Sequence, residues 1–187
     1  LKSEKFVVLR FVSWDAHHDF GEFGISKKNK IEIIKILITN GYRVFISSES
    51  KLDKEFEEYR LCLSADDMHH VLYYASLFIG ESGTMASESA FLGVPVIYIN
   101  SLPLMGYLKL ERDYSLLKHF SSSKGITNYL IELLKDENFK DNASLNSKLM
   151  KKDFINSTDF LVWFVENYPD SCETITENSK FQSEFNE

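Results

Sequence analysis

Cysteine is almost missing from this 187-residue chain, which carries only Cys62 and Cys172. Two isolated thiols give neither a disulfide framework nor the paired spacing of a zinc site. Both are expected to be reduced thiols in a cytoplasmic protein. Basic charge is also short, with 21 Lys and Arg against 28 Asp and Glu and a net charge of −7. That balance argues against non-specific nucleic-acid binding, which needs a basic surface, and leaves room only for a local basic spot that meets a phosphate. No apolar run approaches the roughly 20 residues of a membrane span, so no transmembrane segment is expected. A signal peptide is not expected either, because the chain enters a strand directly after Leu1-Lys2-Ser3-Glu4-Lys5. The lack of an initiator Met points to a piece excised from a longer protein. Two nucleotide signatures are missing as well: there is no Gly-Lys-Ser/Thr of a Walker loop, and the second glycine spacing of the dinucleotide fingerprint fails.

What is present is an ordinary globular composition, 44% hydrophobic and 26% charged, rich in Phe (15) and Tyr (9). Such a chain can bury a good-sized core with much aromatic packing. Phe6–Val12 is nearly continuous apolar and β-branched sequence, as expected of a strand covered on both faces. Ser26 suits the N-cap of a helix over Lys27–Asn40, stopped by Asn40-Gly41. Strands are expected at Tyr42–Ile46, Leu61–Leu63, Leu77–Gly80, Val94–Ile99 and Leu117–Phe120. Helices are expected at Asp53–Tyr59, Asp67–Ala75, Thr84–Leu92, Met105–Arg112, Gly125–Leu134, Ser144–Lys151 and Asp153–Tyr168, the last stopped by Pro169. Strands and helices alternating at short spacing predict a doubly wound α/β fold, Rossmann-like, with a parallel sheet and helices on both faces. The domain is expected over residues 1–169, with 170–187 as a polar acidic tail.

The most informative stretch is Ile79-Gly80-Glu81-Ser82-Gly83-Thr84-Met85-Ala86-Ser87-Glu88. It reads as a buried strand, a tight turn of small residues and a helix start. Such a joint aims free backbone N–H groups and the positive end of a helix dipole at an anion, commonly a phosphate. Ser82 and Thr84 can donate hydroxyls, and Gly83 lets a ligand approach the backbone, so Glu81, Ser82, Gly83 and Thr84 are candidate ligand contacts. Glu88, four residues after Thr84, shares its helical face and suits two vicinal ribose hydroxyls. The alternative is a tight βα turn that uses Ser and Gly for geometry alone, with Glu88 as a solvated helix residue.

A second candidate is Ser13-Trp14-Asp15-Ala16-His17-His18-Asp19, which leaves the first strand at the same sheet edge. His17 or His18 could serve as acid/base or hold a phosphate, with Asp15 or Asp19 orienting them. A metal site for a hydrolase could be drawn from the same residues, but adjacent histidines rarely ligate one ion without a distant third ligand, so no metal is expected. His69, His70, Tyr73 and Tyr74 read as helix-surface or packing residues, and His119 carries no signal.

Met68–Glu88 together with Leu92-Gly93-Val94-Pro95 resembles the carboxyl-terminal half of the GT-B superfamily, which holds UDP-N-acetylglucosamine 2-epimerases and many glycosyltransferases. Within it, Arg10–Asp19 resembles the run after the first strand in a bacterial and archaeal family. The resemblance covers Phe6 to Tyr114 and implies two Rossmann-like domains facing across a cleft. It implies that Ser82, Gly83 and Thr84 hold the donor diphosphate, that Glu88 holds the ribose, and that His17 and its loop line the cleft. The closing helix would lie near the domain junction. The expected partners are therefore a nucleotide-sugar, a UDP-sugar first, and an amino-terminal domain outside this chain; a homodimer stays open, and no cofactor is expected. Cell-surface polysaccharide synthesis is the expected setting. Two departures stand out: Thr84 replaces the second glycine of the epimerase turn, and Trp14–His18 replaces its His-Arg pair. These weaken epimerase activity against glycosyl transfer. A non-catalytic nucleotide-binding or scaffold domain remains the alternative.

Overall fold

The first strand shows why the chain folds as it does. β1 (Phe6–Phe11) is apolar apart from Arg10, and five of its six side chains are buried. A run of that kind needs cover on both faces. The computed structural model, which describes residues 4–12, 24–48 and 50–186, supplies it. β1 pairs in parallel with β2 (Arg43–Ser48) on one side and with β3 (Leu77–Gly80) on the other. β4 (Val96–Ile99) and β5 (Leu117–Phe120) continue the parallel sheet, giving the order β2-β1-β3-β4-β5.

Strand alternation divides the core. Val7, Leu9, Ile46, Leu77, Ile79, Ile97 and Ile99 pack into one cluster with Ile33, Ile34 and Leu37 of α1 (Lys27–Thr39) and Ile126 and Leu130 of α5 (Ile126–Leu133). The intervening Val8, Phe78 and Val96 are buried as well, so the opposite face is also covered. α3 (Gly83–Phe91) contacts both α2 (Met68–Tyr74) and α4 (Gly106–Asp113), whereas α1 contacts α5. The fold is thus the doubly wound, Rossmann-like α/β sheet that the alternation predicted. Because the chain winds outward from β1 to β2 and then restarts at β3, the order reverses between β1 and β3. In open α/β sheets ligands bind beyond the carboxyl ends of the strands at such a switch point.

Local signals explain the boundaries. Ser26 caps α1 by accepting from the Asn29 N–H at 3.3 Å. Gly93 ends the α3 segment at φ +82°, and an added Cβ would come within 3.1 Å of the Ser144 Cα. Both the left-handed backbone and the close approach demand glycine there, which accounts for its place before Val94-Pro95.

Two expectations need correction. Leu61-Cys62-Leu63 is not a strand: the Leu61 N–H donates to the Ile46 carbonyl at 2.8 Å and Arg60 forms a single bridge, after which pairing ceases. Cys62 is exposed and its neighbours are only half-buried, so the run has no apolar face to place on a sheet. The segment after Asp170, expected as a tail, forms α8 (Asp170–Glu177) and a 3-10 helix over Ser179–Phe185.

The chain divides into two compact units, Leu1–Ser147 and Lys148–Glu187, with the division falling inside α6 (Phe139–Lys152). The second unit has its own aromatic cluster. Phe160 of α7 (Ser157–Glu166) meets Phe185 and Trp163 meets both Phe181 and Phe185, with the Trp163 and Phe181 ring centroids 4.7 Å apart. Phe181 and Phe185 are what hold the supposed tail in place. No helix among the described residues is long and apolar enough to cross a membrane.

Candidate functional site

Strand register brings Ser47, Arg10, Gly80, Tyr98 and His119 into one row across the carboxyl end of the sheet. Arg10 Nη1 donates to Ser47 Oγ at 2.7 Å, and the Tyr98 and His119 rings stack with centroids 5.5 Å apart. Gly80 sits between them without a side chain. A Cβ there would lie 2.8 Å from both Arg10 Cβ and Phe78 Cζ, so the strand can end this close to β1 only with glycine.

Glu81 follows at once and is 2% exposed. Its carboxylate accepts from the Val12 N–H at 2.9 Å and from the Ile25 N–H at 2.6 Å. A buried carboxylate is costly unless hydrogen-bonded, and charge-assisted bonds of this length are strong. Glu81 therefore ties the chain leaving β1 and the chain entering α1 to the turn after β3. Its oxygens are engaged by main chain, so its observed role is to hold the frame of the site.

Ser82 has the extended backbone of an N-cap, and its Oγ accepts from the Met85 N–H at 3.4 Å. The N–H groups of Gly83 and Thr84 open α3 and have no intrahelical acceptor. Thr84 is exposed and Ser82 and Gly83 are half-buried, so this helix start reaches solvent. Two phenols approach it from β4 and α4: Tyr98 Oη and Tyr107 Oη each lie 3.4 Å from the position of a Gly83 Cβ. Burial chiefly, with Tyr107 nearby as a second cause, pushes the Tyr98 phenol up to about 12. It is therefore a neutral donor at any physiological pH. Asn100, at the end of β4, donates from Nδ2 to the Glu81 carbonyl at 3.3 Å, and its own carbonyl accepts from His119 Nε2 at 2.8 Å. These contacts brace the turn from the β4–β5 side.

Two further carboxylates belong to α3 and to its neighbour α4. Glu88 is paired with His69 of α2, with Nε2 3.4 Å from Oε2. Glu111 of α4 is 5% exposed; Ser87 Oγ donates to its Oε1, while Oε2 has no hydrogen-bond partner among the described residues. Burial pushes the Glu111 carboxyl up to about 6, opposed in part by the Ser87 bond.

The structure thus brings Glu81, Ser82, Gly83, Thr84 and Glu88 together at the switch point. His17, His18 and Asp15, expected as the catalytic group, lie outside the described residues. No cluster able to hold a metal occurs among the described residues. Tyr98, Asn100, Tyr107, Glu111, His69 and His119 were not foreseen. For Asn100 and His119 a signal was available, since each is a polar residue at the carboxyl end of a parallel strand. A cavity of about 1010 Å³ lies elsewhere: Phe6, Tyr42 and Ser76 place it at the amino ends of the strands.

The chain belongs to the family described as Protein of unknown function (DUF354), whose model matches residues 11–160. No curated protein matches the sequence. Solved structures share the fold. A UDP-N-acetylglucosamine 2-epimerase superposes with a TM-score of 0.54 at 14% identity, over 89% of this chain and 45% of its own. MnaA of S. aureus, solved with UDP, gives 0.52 at 15% identity over 76% and 40%. The glycotransferase of kitacinnamycin gives 0.50 at 12% identity over 80% and 39%. This chain therefore shares its α/β fold with one part of each of these neighbours and spans less than half of their length.

Proposed function

We propose that this DUF354 member binds the diphosphate of a nucleotide-sugar at the start of α3, as the donor half of a glycosyltransferase-like or UDP-sugar epimerase-like enzyme. The observation that carries this reading is the capped helix start Ser82-Gly83-Thr84, open to solvent, at the β1/β3 switch point. Two N–H groups with no intrahelical acceptor and the helix dipole there suit an anion. The Ser82 and Thr84 hydroxyls, with Tyr107 alongside, would complete the shell around the diphosphate. Glu88, one turn on, would accept from the ribose hydroxyls. A uridine nucleotide is the first choice because MnaA, which shares the fold, was solved with UDP.

In this reading the acceptor half of the cleft belongs to an amino-terminal domain outside this chain, and α7 lies near the junction with it. His17, His18 and Asp15 would supply the acid/base group, and the product would enter a cell-surface polysaccharide. Calorimetric titration of the full-length protein with UDP tests the site. Binding that weakens about tenfold in Ser82→Ala, the loss of roughly one hydrogen bond to a charged group, supports it. Equal affinities in wild type and in both Ser82→Ala and Glu88→Ala would remove the assignment.

A further inference from the structure

We infer that His69 is a positioning residue of the nucleotide site, holding the Glu88 carboxylate in the orientation that reads the ribose diol. The inference rests on the donor-site reading above and adds to it a residue from a different helix. His69 belongs to α2, and no local pattern connects it with Glu88, 19 positions later on α3. The structure connects them: Nε2 of His69 stands 3.4 Å from Oε2 of Glu88, with the side chains 64% and 35% exposed.

A pair this exposed contributes little to folding. Its consequence is for the ligand. Glu88 is four residues beyond Thr84, on the helical face that begins at the anion-binding turn. Alone, a glutamate on a helix surface samples several rotamers, and ordering it on binding costs entropy. The His69 contact selects one rotamer in advance and engages Oε2, which leaves Oε1 to accept from the vicinal hydroxyls.

Ligand arrival also strips water from the carboxylate, which is unfavourable for an unpaired charge. An imidazole already beside the carboxylate offsets that loss. His69 then touches no part of the ligand and still governs how strongly the diol is recognised, while the diphosphate contacts at Ser82–Thr84 are unaffected.

The test compares a ribonucleoside diphosphate with its 2′,3′-dideoxy form on the full-length protein by calorimetry. The nucleotide is whichever of UDP, CDP, GDP and ADP the wild type binds most tightly. Wild type is expected to prefer the ribose form by about tenfold, the scale of a hydrogen bond to a charged group. In His69→Ala the preference falls to about twofold, with the dideoxy affinity unchanged; in His69→Gln, which keeps an N–H donor, it is restored. An unchanged preference in His69→Ala overturns the inference, and so does equal weakening of both ligands, which marks a merely structural role. Wild type that binds both forms equally also overturns it and leaves the diphosphate site standing. Wild type that binds none of the four nucleotides overturns the donor-site reading and the inference together.

Discussion

The two ends of this sheet are finished in opposite ways. At the amino ends of the strands lies the large cavity of about 1010 Å³, lined by five carboxylates (Glu4, Asp67, Asp136, Glu137 and Asp141) against Lys5 and Lys140. At the carboxyl ends the Ser82-Gly83-Thr84 turn is small and uncharged, and the adjoining Glu81 carboxylate is engaged by two main-chain N–H groups. Space and favourable charge thus lie at different ends. In the proposed reading an anion is repelled from the roomy end and held at the tight one chiefly by backbone N–H groups and a helix dipole, with Arg10 in the adjoining strand row. The net charge of −7 is therefore compatible with the proposed phosphate site, whose cradle would be built from backbone.

The comparison can be broken by substitution at either end. The largest effect is expected from Glu81→Ala, which takes the acceptor from the half-buried Val12 and the buried Ile25 N–H groups and should lower stability by about 3–5 kcal/mol. Urea unfolding measures this, and Glu81→Gln, which keeps one acceptor oxygen, should lose about half as much. Next is Glu111→Gln. Burial raises the Glu111 carboxyl from 4.5 to about 6, so the folded state holds this proton more tightly than the unfolded chain does. The stability linked to it is fully present below pH 4.5 and is lost as pH rises through 6. A permanently neutral glutamine avoids that loss, so the variant should gain up to roughly 2 kcal/mol over wild type at pH 7 and nothing at pH 4. Parallel urea curves at the two pH values check it.

Ser82→Ala removes the N-cap of α3 and should cost about 1 kcal/mol in unfolding free energy along with the weaker UDP binding. The smallest change is expected at the other end. Lys140, half-buried with Nζ 3.2 Å from the Tyr74 carbonyl, has its ammonium pushed down by burial. Its replacement by alanine should shift stability by about 0.5–1 kcal/mol and leave UDP affinity unchanged. A loss of UDP binding in that variant would move the anion site to the amino end.

Much of this was legible in the sequence, for physical reasons. The strands Leu77–Gly80 and Leu117–Phe120 and the Ser26 cap were read correctly because apolar runs and capping side chains are local signals. The β3–α3 turn was legible because a switch-point turn needs small residues. Glu81 was noticed as a ligand contact and not for its main-chain partners, which are 69 and 56 residues away, so that nothing local reports them. Glu111 was missed because a charged residue in a mixed helix reads as exposed, although it stands three residues after the buried Leu108 and so shares its inner face. The Leu61–Leu63 strand was over-read from three residues without an alternating pattern. In the last segment Phe181 and Phe185 stand four apart, a helical spacing hidden by the polar residues between them.

The most direct test is a crystal structure of the full-length protein soaked with UDP. Diphosphate oxygens within about 3 Å of the Gly83 and Thr84 N–H groups, with the ribose beside Glu88, are the expected result. A nucleotide seated in the amino-end cavity, with the Ser82–Thr84 turn touching only solvent, would contradict it.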